Sequence, residues 1–375
     1  MPGLGSISRI FGLMLIAVAL LYILLKKNIK EPSLLVVLFG VFVIWGILSF
    51  FWGANPSRSI SRFITNLQLL AMIWLIWELC DSKEDFLRLM QAFVLGLFVS
   101  IYDMLSVYLS FDYGYDRITA GEFNANQIAI YLALGIPFAW YMLLQNRRTI
   151  FYWFNAVYLP LAAFCLILTG SRTGMIVGLV GLSIIPFTFF RLNVTGKKTI
   201  LALFAGILIF MTFNYQQIMP NIEHNIERLI ETQQQIEGGH ISGRGSIWRA
   251  GVRVFTENPI MGVGSGSFGI SIIEYHGRHM SAHNTYLAVL VEGGMIGFII
   301  FLFVLLVVFI PVLYIDPLDR IFYAILFATI LIAMLPLHLE ADKVLWTVLA
   351  FFQANAFIII KNGGFRVVHR QIESS

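Results

Sequence analysis

The residues in this sequence best suited to chemistry are three arginines and one histidine: Arg172, Arg244, Arg249 and His283. Guanidinium groups bind phosphate oxygens in a forked geometry, and a neutral imidazole takes a proton from a hydroxyl group near neutral pH. Arg172 lies in a very short turn between two apolar runs. Arg244 lies at the start of a predicted helix, where free N–H groups favour an anion. These residues predict a diphosphate clamp, formed by Arg172 and Arg244, and a general base at His283.

The alternative for each of these residues is a purely structural role. Arginines beside a bilayer also extend to lipid headgroups, and this alternative weighs most for Arg249 and the neighbouring Arg253. A single histidine at a membrane boundary is often structural, although Asn284 would be the more natural helix cap there. Asn284 is therefore expected either as a cap or as a contact to a sugar or an acceptor.

Two further places carry polar groups suited to a sugar or an acceptor. Asn124 and Asn126 precede or open an apolar run, where capping of the helix is the commoner role and a hydrogen bond to a sugar is the alternative. His338 begins a short polar loop between two apolar runs, and this loop either lines an acceptor site or is a solvated turn. Its polar members are His338, Glu340, Asp342 and Lys343.

Ionisable residues inside apolar runs are also functional candidates, because charge is costly in a membrane. Asp103 lies inside such a run, and a pair with a tyrosine or an arginine of a neighbouring helix is the simplest expectation. Glu292 precedes two glycines within another run, and we expect it to brace a break in that helix.

Several patterns argue against metal, cofactor or nucleotide chemistry. No Asp-x-Asp occurs, and residues 216–282 contain no aspartate. A stripe of Glu223, Glu227 and Glu231 is more typical of a solvated helix face than of a cation site. Gly264–Gly269 fits G-x-G-x-x-G but lacks a preceding strand, so tight turns are expected there. The two cysteines, both in apolar runs, offer neither a disulfide framework nor a metal site. We predict no metal and no cofactor.

The composition determines which elements must position these groups. Hydrophobic residues make up 58% of the 375-residue chain and charged residues only 12%, with a mean hydropathy of +0.81. Soluble domains have about a quarter charged residues. We predict an all-α, polytopic transmembrane bundle of about eleven to twelve spans. Eleven runs are apolar enough: 8–25, 33–52, 63–80, 86–109, 125–145, 150–168, 173–190, 199–215, 284–314, 320–336 and 343–360.

The distribution of Lys and Arg predicts the orientation. About fourteen lie on one side of the predicted spans and about six on the other, with about five arginines in residues 216–282. The richer side is expected to be cytoplasmic, which explains the net charge of +4 without a nucleic-acid partner. The C-terminus is then inside, and the N-terminus is outside if there are eleven spans. The chain divides into a first transmembrane part (1–215), an outer segment (216–282) and a last transmembrane part (283–375).

The outer segment is expected to contain two short helices. Apolar residues at helical spacing predict an amphipathic helix that lies on the membrane or on the bundle. They are Ile222, Ile226, Leu229 and Ile236. A second helix is predicted from an N-cap at Ser246 to Asn258, where Pro259 stops it.

One combination of motifs resembles a known family. His283-Asn284, nine residues and then Gly294-Met295-Ile296-Gly297 resemble the H-N-x9-G-x-x-G signature of the O-antigen ligase and polymerase superfamily. Three other features agree with that family in order and location. They are the Ser171–Gly174 turn, the Arg244–Arg249 helix followed by Asn258-Pro259 and Gly262–Gly264, and Gly121–Asn126 at the start of a span.

The resemblance implies a GT-C glycosyltransferase in the bacterial inner membrane, active on the periplasmic face. Its donor would be a glycan on undecaprenyl diphosphate, and its acceptor the lipid A-core. His283 would deprotonate the acceptor, while Arg172 and Arg244, with Arg249, would neutralise the leaving diphosphate without metal. A polymerase that extends a growing glycan, protein O-glycosylation, and a non-enzymatic flippase of lipid-linked sugars are the alternatives. Family members typically have about twelve spans, one more than we count.

Overall fold

The computed structural model describes residues 14, 16–25, 29–110, 117–121, 123–145, 149–215, 223, 244–315 and 317–359. Within these ranges the chain is helical and forms no strand, which confirms the predicted all-α class. The predicted amphipathic helix over Ile222–Ile236, with Glu227 and Glu231, lies outside the described residues apart from the exposed Glu223.

Fifteen α-helices are described, and we number them in chain order. They are α1 (Ile16–Leu25), α2 (Leu34–Leu48), α3 (Pro56–Leu79), α4 (Lys83–Ser110), α5 (Ala125–Leu144), α6 (Ile150–Leu168), α7 (Arg172–Leu182), α8 (Ile184–Thr188), α9 (Val194–Phe213), α10 (Arg244–Glu257), α11 (Phe268–Ser271), α12 (Ile273–His276), α13 (Thr285–Phe309), α14 (Pro317–Ala333) and α15 (Lys343–Ile359).

The helices have the lengths that a bilayer requires. Eight helical stretches are long and apolar enough to span it, with α7 and α8 counted together as Arg172–Arg191. Three shorter apolar helices, α1, α14 and α15, fall on the remaining predicted spans. Within the described residues, each of the eleven predicted runs overlaps a helix, with bounds that differ by up to seven residues where both ends are described. The chain is a multi-pass membrane protein.

The bundle is built around α5. Its spanning window is 83% buried, whereas that of α9 is 11% buried. Helix α5 is therefore central. Helix α9 is peripheral, with its apolar side chains turned outward. Helices α4, α6, α7 and α14 pack directly against α5. The ends at which α3, α5, α7, α13 and α15 begin lie on one side of the bundle, which we call the His283 end.

Residues 244–282 form a small cap over the His283 end. The buried face of α10 packs against the start of α13 in a separate apolar cluster that includes Ile247, Val254, Phe268 and Val291. The N-cap predicted at Ser246 is wrong, because Ser246 is the third residue of α10, within its first turn, and is exposed. Packing of Gly245 and Ile247 into the cap outweighs the local capping preference of a serine.

Helix α13 is broken at Gly294. This residue has φ 62° and ψ −167°, a conformation that is essentially restricted to glycine. The freed backbone groups bind the glycine-rich segment that follows Pro259: Val263 N–H donates to Val291 O (3.0 Å), and Met295 N–H donates to Pro259 O (2.8 Å). The predicted tight turns are therefore present, with positive φ at Gly262, Gly264 and Gly266, and they dock into the break.

Glu292 braces this break, as the sequence predicts. Its carboxylate accepts hydrogen bonds from the backbone N–H groups of Gly266 (2.7 Å) and Phe268 (3.1 Å). Among the described residues, the carboxylate of Asp103 accepts a hydrogen bond from the backbone N–H of Gly121 (2.6 Å), which ties α4 to the segment that precedes α5. A pair of Asp103 with a tyrosine or an arginine stays a prediction.

Candidate functional site

His283 lies in a constrained turn at the start of α13. Its φ is 45°, and among the described non-glycine residues it alone has a positive φ. Neighbouring contacts hold the turn: Trp248 of α10 donates to Ala282 O (2.9 Å), and Thr285 N–H donates to Met334 O (2.9 Å). Asn284 caps α13, since its side-chain oxygen accepts from Leu287 N–H (3.0 Å). A strained backbone that is held from both sides is common at functional sites.

The environment of His283 favours the neutral imidazole. The side chain is partly buried. Its pKa is lowered first by desolvation, then by the nearby positive charges of Arg244 and His338. Because the usual value for histidine is about 6.5, His283 is neutral at pH 7. A neutral imidazole can accept a proton, as the general-base prediction requires.

The three arginines of α10 lie in different environments. Arg244 is partly buried at the first turn, and desolvation lowers its pKa. Its charge acts on His283, so the two side chains share one electrostatic environment. Arg249 and Arg253 are exposed, and the guanidinium of Arg253 lies 5.8 Å from the centroid of the Tyr275 ring. Arg253 is thus occupied by a cation–π contact.

Arg172 lies at the same end of the bundle, in the first turn of α7. Ser171 caps this helix by accepting from Gly174 N–H (3.0 Å) and donates to the Asn126 side-chain oxygen (2.8 Å). Arg117 donates to the same oxygen (2.7 Å). Asn126 therefore joins α5 to the Arg172 turn. Asn124 caps α5 by accepting from Gln127 N–H (2.9 Å), so capping is confirmed for it; contacts of these asparagines to a sugar stay a prediction.

The loop 334–342, between α14 and α15, connects the Arg172 side of the site to His283. Tyr131 of α5 donates to the Asp342 carboxylate, and Gln127 also reaches it (3.3 Å). At the other end of the loop, Ser281 and His338 Nδ1 form a hydrogen bond (3.2 Å). The prediction of a solvated turn is therefore wrong for His338 and Glu340, whose side chains are only 17% and 5% exposed. An acceptor contact of His338 stays a prediction.

Four charged side chains meet beneath this loop, and we call them the ion-pair cluster: Arg62, Glu292, His338 and Glu340. Arg62 Nη1 lies 2.8 Å from Glu340 Oε1, and His338 Nε2 lies 2.5 Å from Glu340 Oε2. Sequence reasoning missed the pairing of Arg62, although an arginine two turns inside an apolar helix indicates a buried partner.

The charges of the ion-pair cluster balance one another. Burial lowers the pKa of His338, but the carboxylate of Glu340 outweighs it and the pKa lies above the usual value. Burial raises the pKa of Glu340, but His338 and Arg62 outweigh it and lower the pKa to about 2. The raised pKa favours the imidazolium form of His338, in which both ring N–H groups are donors.

The same cluster contains the residue types that bind metal ions. Ligand atoms of Glu292, His338 and Glu340 lie within 4.8 Å of one another. Arg62 and the proton on His338 already compensate the two carboxylates, so a cation would have to displace both. This charge balance favours an ion-pair cluster over a metal centre.

Part of the chain matches a known protein family. Residues 156–302 match the family model described as O-antigen ligase. The matched region includes Arg172, Arg244, Arg249 and His283, together with the break at Gly294. No curated protein matches the chain. Over these residues the match supports the resemblance of the chain to the O-antigen ligase superfamily.

Proposed function

We propose that this protein transfers a glycan from undecaprenyl diphosphate to a hydroxyl of the lipid A-core, at the periplasmic face of the bacterial inner membrane. The family supports a membrane glycosyltransferase. The observation that carries the finer proposal is that His283, whose pKa is lowered, and the partly buried Arg244, whose charge contributes to that shift, lie at one end of the bundle. A base and an anion-binding group are the two requirements of transfer from a diphosphate.

In the proposed reaction the acceptor hydroxyl gives its proton to the His283 imidazole. The acceptor oxygen attacks the anomeric carbon with inversion, and the bond between that carbon and the diphosphate oxygen breaks. The leaving undecaprenyl diphosphate takes the electron pair, and Arg172 and Arg244, assisted by Arg249, neutralise its charge. Fixed cations close to a low-dielectric boundary stabilise such charge strongly, so no metal is required.

One assay distinguishes this reaction from its alternatives. Purified protein in a buffer with EDTA receives a lipid-diphosphate glycan and either lipid A-core or no second acceptor. A single shifted product with lipid A-core is expected. A ladder from donor alone would mean polymerisation of a growing glycan, and an absence of turnover with both would favour a flippase. A requirement for added divalent metal would overturn the metal-free mechanism.

Replacement of Arg244 should weaken donor use most among the arginines of α10. A hydrogen bond to a charged group contributes about 1.5–3 kcal/mol, so Arg244→Ala is expected to raise the donor KM about 10- to 100-fold. Arg249→Ala should act more weakly, because its side chain is exposed. Arg253→Ala is the matched control, since that guanidinium stacks on Tyr275. Equal effects of all three variants on donor KM would contradict a specific clamp.

The pH dependence should report the proton on His283. Because desolvation, Arg244 and His338 lower the pKa of His283, the imidazole stays neutral as the pH falls to the usual histidine range. Activity is lost only below it. We expect kcat/KM to be flat near pH 7 and to fall on acidification with a midpoint below 6.5. A midpoint clearly above 6.5 would show that the essential base is another group.

A further inference from the structure

The turn that contains His283 is attached to the loop 334–342 by hydrogen bonds on both sides. Ser281 pairs with His338 Nδ1 before the histidine (3.2 Å). After His283, Thr285 donates its N–H to Met334 O (2.9 Å) and its hydroxyl to Leu337 O (2.7 Å). The same hydroxyl accepts from Leu339 N–H (2.9 Å). The position of His283 therefore depends on the position of this loop.

The loop itself is held from below by the ion-pair cluster. Glu340 contacts Arg62 of α3 and His338 of the loop, while Glu292 of α13 lies beside them and holds the segment before α11. Three separate elements thus converge on one buried charge arrangement. Within it, His338 alone reaches the His283 turn through a side-chain hydrogen bond.

We propose that His338 is a positioning residue for His283: its ring, fixed between Glu340 and Ser281, holds the turn in place and presents a positive charge to it. This inference rests on the proposed general-base role of His283. The charged groups in the surroundings are Arg244 from α10, Arg62 from α3, Glu292 from α13 and Glu340 from the loop. The two carboxylates balance Arg62 and His338 within the cluster. Of its members, His338 is the one that is hydrogen-bonded to the His283 turn and lowers the pKa of His283.

A more direct chemical role for this group is disfavoured. Ser281, His338 and Glu340 have the order of a nucleophile, a base and an orienting carboxylate. A base must be neutral to activate a hydroxyl, whereas Glu340 raises the pKa of His338 and so favours its protonated form. In that form His338 donates to Ser281 instead of accepting from it. The imidazolium suits a structural and electrostatic role.

The test compares three variants of the full-length protein in detergent. His338→Gln keeps a hydrogen-bonding group but removes the charge, His338→Lys keeps the charge opposite Glu340, and His276→Gln is a control in α12, outside the site. Histidines carrying a ¹³C label are titrated by NMR, and the His283 signal is assigned from its loss in His283→Asn. Thermal melting confirms that each variant is folded.

We expect the His283 titration midpoint to rise in His338→Gln, to stay low in His338→Lys and to be unchanged in His276→Gln. In transfer assays, His338→Gln should lower kcat about 10- to 100-fold with little change in donor KM. A folded His338→Gln protein with an unchanged midpoint, or an equal rise in His338→Lys, overturns the proposal. The titration needs no turnover, so a wild-type protein that transfers no glycan would disprove the proposed function and leave this test intact.

Discussion

Replacement of His283 by asparagine is expected to lower glycan transfer about 10²- to 10⁴-fold, the usual contribution of a general base. Asparagine tolerates the positive φ of this position better than alanine and has no proton-accepting nitrogen near neutral pH. The fold and the position of Arg244 should therefore be unchanged. Donor binding, measured with a labelled lipid diphosphate, should stay within about twofold of the wild type because the base acts only in the chemical step.

The control for this experiment is His276→Asn, which changes a histidine of α12 that the site does not use. Comparable melting temperatures of both variants exclude a loss of folded protein. The general-base role fails if His283→Asn retains transfer close to the wild-type rate. If donor binding is lost together with transfer, His283 contributes to binding and the division of roles proposed here is wrong.

Replacement of Gly294 by alanine is expected to lower the stability of the protein more than alanine at Gly297 or Gly206. An added Cβ would lie 2.3 Å from Ile260 O and 2.6 Å from Gly262 N, both backbone atoms that cannot turn away. The backbone angles of Gly294 add further strain for any residue with a side chain. Strain and overpacking together amount to about 2–6 kcal/mol. We expect a lower melting temperature in detergent and a loss of transfer.

Gly206→Ala in α9 is the matched control, since no atom lies within 4 Å of its added Cβ. Alanine has a higher helix propensity than glycine, so this variant should be neutral or slightly stabilised. Gly297→Ala should be intermediate, because its Cβ would lie 2.9 Å from Trp45 Nε1, a side-chain atom that can move. A Gly294→Ala protein as stable as Gly206→Ala would show that the break in α13 is not required.

The loss of activity that we expect in Gly294→Ala follows from the contacts between α13 and α10. The break receives the glycine-rich segment, and Glu292 holds that segment through Gly266 and Phe268. Phe268 belongs to the apolar cluster beneath α10, which carries Arg244. Gly294, the first glycine of the G-x-x-G part of the signature, therefore connects the His283 helix to the Arg244 helix.

The sequence by itself determined the membrane spans and several of their ends. Transfer of about 20 apolar residues into lipid is strongly favourable, and each span gains this free energy from its own side chains. Caps are equally local, so Asn124 and Asn284 could be assigned from the residues that follow them. The positions of Arg172, Arg244 and His283 at one end of the bundle also follow from the count of spans between them.

Only the tertiary structure decided which charges pair and where the cap docks. Arg62 and Glu340 are 278 positions apart in the chain, and no local pattern relates them. The N-cap predicted at Ser246 is wrong for the same reason, because its neighbours Gly245 and Ile247 are buried within the helix against distant residues. Apolar and capping free energies are gained within one helix, whereas an ion pair or a docked break stabilises the protein only when remote segments have already come together.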